Sequence, residues 1–253
     1  MHKFLSTRLA SALGLSVACS AASADVITEW NFNSVPADAS TATGSLLPST
    51  GAGSLATLGG VTSSFSSGAA GNGSSDPATM DDSGWQTTTY AAQGAGDRAR
   101  GVQFNVSTVG YTDIGFEFDL RHSNTSSRFV QVQYSTDGVQ FNDVASFAAT
   151  LGGDTWYNDR TVSLSGLAGV DNNANFAIRV VAMFAPSSAA YAPSNPASNY
   201  GAAGTWRFDM AQVTGSPVPV PAALPLLLSG LGFMVLAWYT LGGALMRRKG
   251  SAA

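Results

Sequence analysis

The stretch DIGFEFDLR, residues Asp113–Arg121, sets Ile114, Phe116, Phe118 and Leu120 at every second position, with Gly115, Glu117 and Asp119 between them. A period of two belongs to a strand with one buried face and one wet face, the pattern of an antiparallel sheet. The same period runs through GVQFNV (Val102, Phe104, Val106), RFVQVQY (Val130, Val132, Tyr134) and RTVSL (Val162, Leu164). It continues in NFAIRVVAMF (Phe176, Ile178, Val180, Ala182, Phe184) and TWRFDMAQV (Trp206, Phe208, Met210). Near the start, VITEWNFN puts Trp30 and Phe32 on one face. YSTDGVQF reads as a hairpin, because Asp137-Gly138 tolerates a positive-φ turn between strand residues. Between Pro36 and Arg98 the chain is rich in Ser, Thr, Gly and Ala, and only VTSSF and WQTTTY resemble strands. No segment holds a helical apolar period for three turns, and no repeat recurs at solenoid spacing. Residues 25–214 therefore predict one all-β domain, two sheets packed face to face.

The two ends have a different composition. Lys3 and Arg8, an apolar centre and Ala22-Ser23-Ala24 form a secretory signal peptide over residues 1–24, with cleavage after Ala24. Removal of that segment takes away Cys19, the single cysteine, so no disulfide can hold the mature domain. All sixteen acidic residues lie between Asp25 and Asp209, against seven arginines and no lysine, a formal charge of −9. Such a domain is a poor partner for nucleic acid and a good one for cations or glycans.

Few residue types that carry chemistry are present. His122 is the only histidine left after the signal, and no Ser sits in a G-x-S-x-G elbow, so a Ser/His/Asp hydrolase is unsupported. Glu117 and Asp119 are two apart on a strand, about 6.6 Å by strand rise. This pair resembles the first half of the E-x-D-x-(x)-E motif of family 16 glycoside hydrolases, which are β-jelly rolls. Arg121 stands where a further glutamate is needed, and only two glutamates exist in the chain. The plain reading is a solvated strand face in which Arg121 relieves carboxylate repulsion. Glycan hydrolysis by Glu117 and Asp119 is the alternative.

If the first and last strands are neighbours in one sheet, Glu29, Asn31 and Asp209 offer hard oxygen ligands for Ca²⁺. Galactose-binding-like sandwiches, which this architecture resembles, hold calcium in that way, and the resemblance implies a jelly-roll-like domain. Asp171–Asn173 with Asp154 or Asp159 is a second place for a cation. Trp85, Tyr90, Trp156, Tyr157, Tyr191 and Tyr200 lie in or beside loop-like sequence, where rings stack on sugars.

The C-terminus carries the most specific signal. Residues 215–221 read as a Pro-rich linker, and the 25 residues Ala222–Met246 are uncharged. As a helix that run spans about 37 Å, enough for a hydrocarbon core of about 30 Å. Arg247, Arg248 and Lys249 follow, so residues 247–253 stay cytoplasmic and the acidic domain lies outside. Val218-Pro219-Val220-Pro221-Ala222-Ala223, an apolar helix and a basic end resemble the PEP-CTERM sorting signal, in its VPLPA-type variant. Val220 stands where the main class has glutamate. The resemblance implies recognition by an exosortase, a membrane-embedded protease, and release to the surface or exopolysaccharide matrix of a Gram-negative cell. A permanent single-span anchor is the rival. The domain itself is expected to be non-catalytic, with a structural, adhesive or glycan-binding role.

Overall fold

The computed structural model describes residues 24–78 and 80–219. The expected signal peptide up to residue 23, with Ala22, lies outside the described residues. So do Val220 to Ala223 of the sorting motif, the helix at 222–246 and the basic cluster Arg247–Lys249. The described residues form β1 (Asp25–Trp30), β2 (Thr50–Gly51), β3 (Gly53–Leu58), β4 (Thr62–Ser67), β5 (Ser83–Thr88) and β6 (Gly101–Val106). These are followed by β7 (Tyr111–His122), β8 (Phe129–Ser135), β9 (Asn142–Ala148), β10 (Thr155–Ser163), β11 (Phe176–Met183) and β12 (Trp206–Pro217). Among them no helix is long and apolar enough to cross a membrane.

Two antiparallel sheets form a sandwich. One has seven strands, ordered β10-β7-β12-β1-β2, with β5 also pairing β12 and β4 pairing β5. The other has five, ordered β3-β6-β11-β8-β9. The apolar positions of β6, β7 and β11 meet between them, and Ile114, Phe116, Phe118 and Leu120 are at most 1 % exposed. Phe104 of the five-stranded sheet is the hub of this core. Its ring lies 5.3 Å from Trp30, 5.5 Å from Phe116 and 6.4 Å from Phe208, all on the opposite sheet. Burying one such ring contributes roughly 1.5–3 kcal/mol, so aromatic packing supplies what disulfides do not.

The first and last strands are neighbours, as the sequence leads one to expect, with Asp25 opposite Gly215 and Trp30 opposite Ala211. Four details differ from the sequence reading, the first being that β2 and β3 form within the Ser/Thr/Gly-rich stretch where only VTSSF and WQTTTY are expected as strands. Met210 does not face the core: a bulge at this residue, with φ +43, flips the strand's phase, and Ala211 and Val213 take the buried positions. The linker begins later than residue 215, because β12 runs on to Pro217 and the Val218 N–H donates to Gly110 O at 2.8 Å. The β8–β9 connection is wider than a two-residue turn, and Asp137 Oδ1 accepts the N–H groups of Val139 and Gln140, each at 2.8 Å. At the end away from the chain termini, the long 185–204 loop packs against the loop before β6. Tyr191 and Tyr200 stack at 4.6 Å there, and their hydroxyls donate to Gly96 O and Ala91 O.

Candidate metal centre

On the outer face of the seven-stranded sheet, β7 and β12 place polar residues side by side: Arg121 opposite Arg207, Asp119 opposite Asp209, and Glu117 opposite Gln212. The segment joining β4 to β5 lies over this face as a strap. It opens with the Gly68-Ala-Ala-Gly-Asn-Gly-Ser-Ser run and closes on Asp81-Asp82. Such a sequence has almost no apolar side chain to bury, so polar contacts must hold it. Asp119 accepts the Ser75 N–H at 2.5 Å and the Asp159 N–H at 2.8 Å. The Asn72 amide takes the Trp156 N–H at 2.8 Å and gives a hydrogen bond to Trp156 O at 3.3 Å, closing the free edge of β10. The Trp156 indole donates to Ala70 O, Asn158 to Gly73 O, and Arg207 to Ser67 O.

Three carboxylates converge where the strap crosses β12. One oxygen each from Asp76, Asp82 and Asp209 lies within 4.8 Å of the other two. Asp209 is fully buried and Asp82 is 7 % exposed. Asp209 Oδ2 and Asp82 Oδ1 have no hydrogen-bond partner. Both point at the backbone of Gly68, where an added Cβ would run into Asp82 Oδ1 and lie 2.7 Å from Asp209 Oδ2, so only glycine fits. Asp76 is half-buried, and its oxygens accept the Asn33 amide and the Ala78 N–H, each at 2.8 Å.

Burial pushes the Asp209 carboxyl up to about 9, reinforced by Asp76 and Asp82 and partly offset by the Ser74 hydroxyl and the Met210 N–H. Burial, then the nearby Asp76 charge, raises Asp82 to about 6. Arg207 does not neutralise them by contact, since its guanidinium donates to Ser67 O and Gln86 Oε1. Among the described residues none of the three carboxylates forms an ion pair with arginine. An all-oxygen, anionic and largely dry constellation suits a hard divalent cation, not a thiophilic one.

The residues singled out from sequence are thus divided. Asp209 is in the cluster, but Glu29 and Asn31 are not. Glu29 sits opposite Gln212 and accepts the Ser49 hydroxyl at 2.9 Å. Asn31 accepts the Asn33 N–H at 3.3 Å. Asn172 and Asn173 serve turns: Asn172 accepts the Gly110 N–H, and Asn173 bridges to Thr136 O and Gly169 O, while Asp171 Oδ1 is buried without a partner. Asp154 is paired with Arg121 at 3.1 Å, so Arg121 serves the strap side of the sheet and does not stand between Glu117 and Asp119. Glu117 accepts from Thr161 and Gln212, each at 3.0 Å. Both Asp119 oxygens are occupied by backbone N–H groups. Trp85, Tyr90, Trp156 and Tyr191 are buried at 1–4 % exposure, which removes them as a sugar-stacking platform. Asp76 and Asp82 were missed, although a signal existed: with Asp81 they are the only charged residues between Asp38 and Asp97.

The sequence matches no protein-family model and no curated protein. Among solved structures it is similar to the CBM22-1 xylan-binding domain of Paenibacillus barcinonensis Xyn10C, at 12 % identity over 79 % of this chain and 100 % of that one, with a TM-score of 0.44. A xylan-binding domain from CBM 22 matches at 11 % identity over 66 % of this chain and 89 % of that one, with a TM-score of 0.38. The K1 cleaved adhesin domain of Lys-gingipain from Porphyromonas gingivalis W83 matches at 12 % identity, 64 % and 90 % coverage and a TM-score of 0.38.

Proposed function

We propose that the chain is an exported, non-catalytic, jelly-roll-like module with a structural, adhesive or glycan-binding role. A PEP-CTERM-type tail delivers it to the cell surface or exopolysaccharide matrix, and an exosortase-type protease reads that tail. The observation that supports the delivery reading is how closely the sheet approaches the motif. Among the described residues, the last backbone hydrogen bond is made by Val218, the first residue of the Val218–Ala223 motif, and its side chain is already 45 % exposed. The proline-alternating segment then follows without an intervening spacer, and alternating prolines favour an extended, unpaired backbone that a protease can grip.

The non-catalytic reading is supported by the duties of Asp119, whose two oxygens hold the strap. For glycan contact, the outer face of the five-stranded sheet is the surface that fits. Gln103, Arg179 and Gln133 are register partners across β6, β11 and β8, and so about 4.8 Å apart from strand to strand. The Arg179 guanidinium lies 3.5 Å from the Phe141 ring centroid, and its Nε donates to Gln103 Oε1 at 2.7 Å. A row of amides and a flat guanidinium offers donors and acceptors at the spacing a hydroxyl-rich chain can use.

Intact mass of the protein from its native host tests the assignment. The expected product starts at Asp25, ends near Pro219–Pro221 and travels with the exopolysaccharide fraction, less so when Arg179 is replaced by alanine. A membrane-bound product that keeps Arg247–Ala253 overturns the sorting reading and leaves a permanent anchor. Cleavage of that polysaccharide by the purified protein, lost on Glu117→Gln, overturns the non-catalytic one.

A further inference from the structure

We propose that Asp76, Asp82 and Asp209 bind one calcium ion that fastens the strap to β12. An acidic cluster alone would not carry this. The second observation is the pair of unpartnered oxygens: Asp209 Oδ2 on a fully buried side chain and Asp82 Oδ1 on one that is 93 % removed from solvent, both aimed at the same point beside Gly68. Buried carboxylate oxygens without hydrogen bonds are rare because each forfeits its hydration with nothing in return. Two facing one another, with a third carboxylate oxygen within 4.8 Å, add mutual repulsion. A divalent cation at their centre removes both penalties at once.

The identity of the ion follows from the donors and their setting. Every donor is a carboxylate oxygen, which disfavours zinc and copper. Calcium–oxygen contacts of about 2.3–2.6 Å allow ligands on opposite sides of the ion to stand roughly 5 Å apart, which accommodates the observed spread. Two of the three ligands come from an irregular Gly- and Ser-rich segment and one from a strand bulge. Calcium accepts such uneven geometry, whereas magnesium demands a near-ideal octahedron at about 2.0–2.1 Å. The bulge has a purpose here. The Met210 N–H turns back to Asp209 Oδ1 at 2.9 Å, which leaves Oδ2 free to face the strap. Calcium also explains how a segment with almost no apolar side chains is held over a sheet face, and this does not depend on where the protein is sorted.

The test uses the full chain purified in detergent and stripped with EDTA, titrated calorimetrically with CaCl₂, with hydrogen exchange followed across residues 68–78. One calcium per chain is expected, with amide protection in that segment rising at least tenfold, and with MgCl₂ at equal concentration much less effective. Asp76→Asn is the variant of choice because this side chain is half-buried and its loss should leave the core folded. It should weaken calcium binding at least tenfold, and Asp82→Asn should do so more strongly. Two results overturn the proposal. One is a folded, stripped protein that takes up no calcium at millimolar concentration, its residues 68–78 already protected; the carboxyls would then share a proton in place of a metal. The other is calcium binding that is unchanged in both variants, which would put the ion elsewhere.

Discussion

His122, at the end of β7, is fully buried and edge-on to Tyr157 and Trp206 at 5.4 and 5.6 Å. Its Nδ1 lies 2.9 Å from Ser127 O, a carbonyl that also accepts the Trp206 indole N–H at 3.1 Å, while Nε2 has no partner. Burial holds its pKa well below the ordinary 6.5, and the Arg160 charge adds to the effect. The unfolded chain therefore takes up a proton below about pH 6.5 that the folded one refuses. Stability is insensitive to this group above that pH and falls beneath it, by up to about 1.4 kcal/mol per pH unit. Denaturation midpoints from pH 7.5 to 5 should show this slope in the wild type and a clear reduction in His122→Phe, where Ser127 O keeps its Trp206 partner. Equal slopes would show that the ring is not the source. The sequence points to a structural or surface histidine at a strand end, because no serine elbow, thiol or second histidine accompanies it in the mature chain. Its complete burial is not readable there, since that depends on Trp206 and Ser127, 84 and five residues away.

Among the elements, those with one buried face were the legible ones. In β6 and β7 that face imposes a period of two on the apolar residues, and the structure follows it; in β11 the expected Phe176, Ile178, Val180 and Ala182 are buried, but Ala177 and Val181 on the other face are buried as well. β12 could be read only as far as Phe208, since a bulge is a backbone event that leaves no mark in apolar order; Met210 looked like the next core residue and is not. The strap was illegible for the opposite reason. Its Gly, Ser and Ala residues have no period, and its fold is fixed by partners 44 to 86 residues distant, such as Asp119 and the Trp156 backbone and indole. Asn72 illustrates how it works: one side-chain amide does the work of a missing neighbour strand for Trp156. Asn72→Ala leaves that N–H unpaired and should lower unfolding stability by about 1–3 kcal/mol, read from a urea transition. It should also speed exchange of the Trp156 amide specifically. A transition superimposable on wild type would mean that water replaces the amide without loss.

For the whole molecule, the pairing of first and last strands places the chain's entry and exit side by side, with β12 running between β7 on one flank and β1 and β5 on the other. The boundary drawn from sequence at residue 214 would cut this strand short. A chain stopped after Pro219 should melt like the intact domain. One stopped after Thr214 loses the Ser216–Thr112 and Pro217–Tyr111 pairings and the Val218–Gly110 hydrogen bond, and should lose roughly 1–3 kcal/mol. Identical melting of the two would restore a linker to residues 215–218. The placement of β12 also has a mechanical meaning. A load applied between the C-terminal end of β12 and the opposite end of the sandwich, where Tyr191 and Tyr200 stack, runs along β12. Its hydrogen bonds to β1 and β7 lie across that direction, so they are strained in shear and share the tension. A pull between the two chain ends would instead peel β1 from β12 one bond at a time. β12 is therefore the strand best placed to bear force applied along its own axis at its C-terminal end.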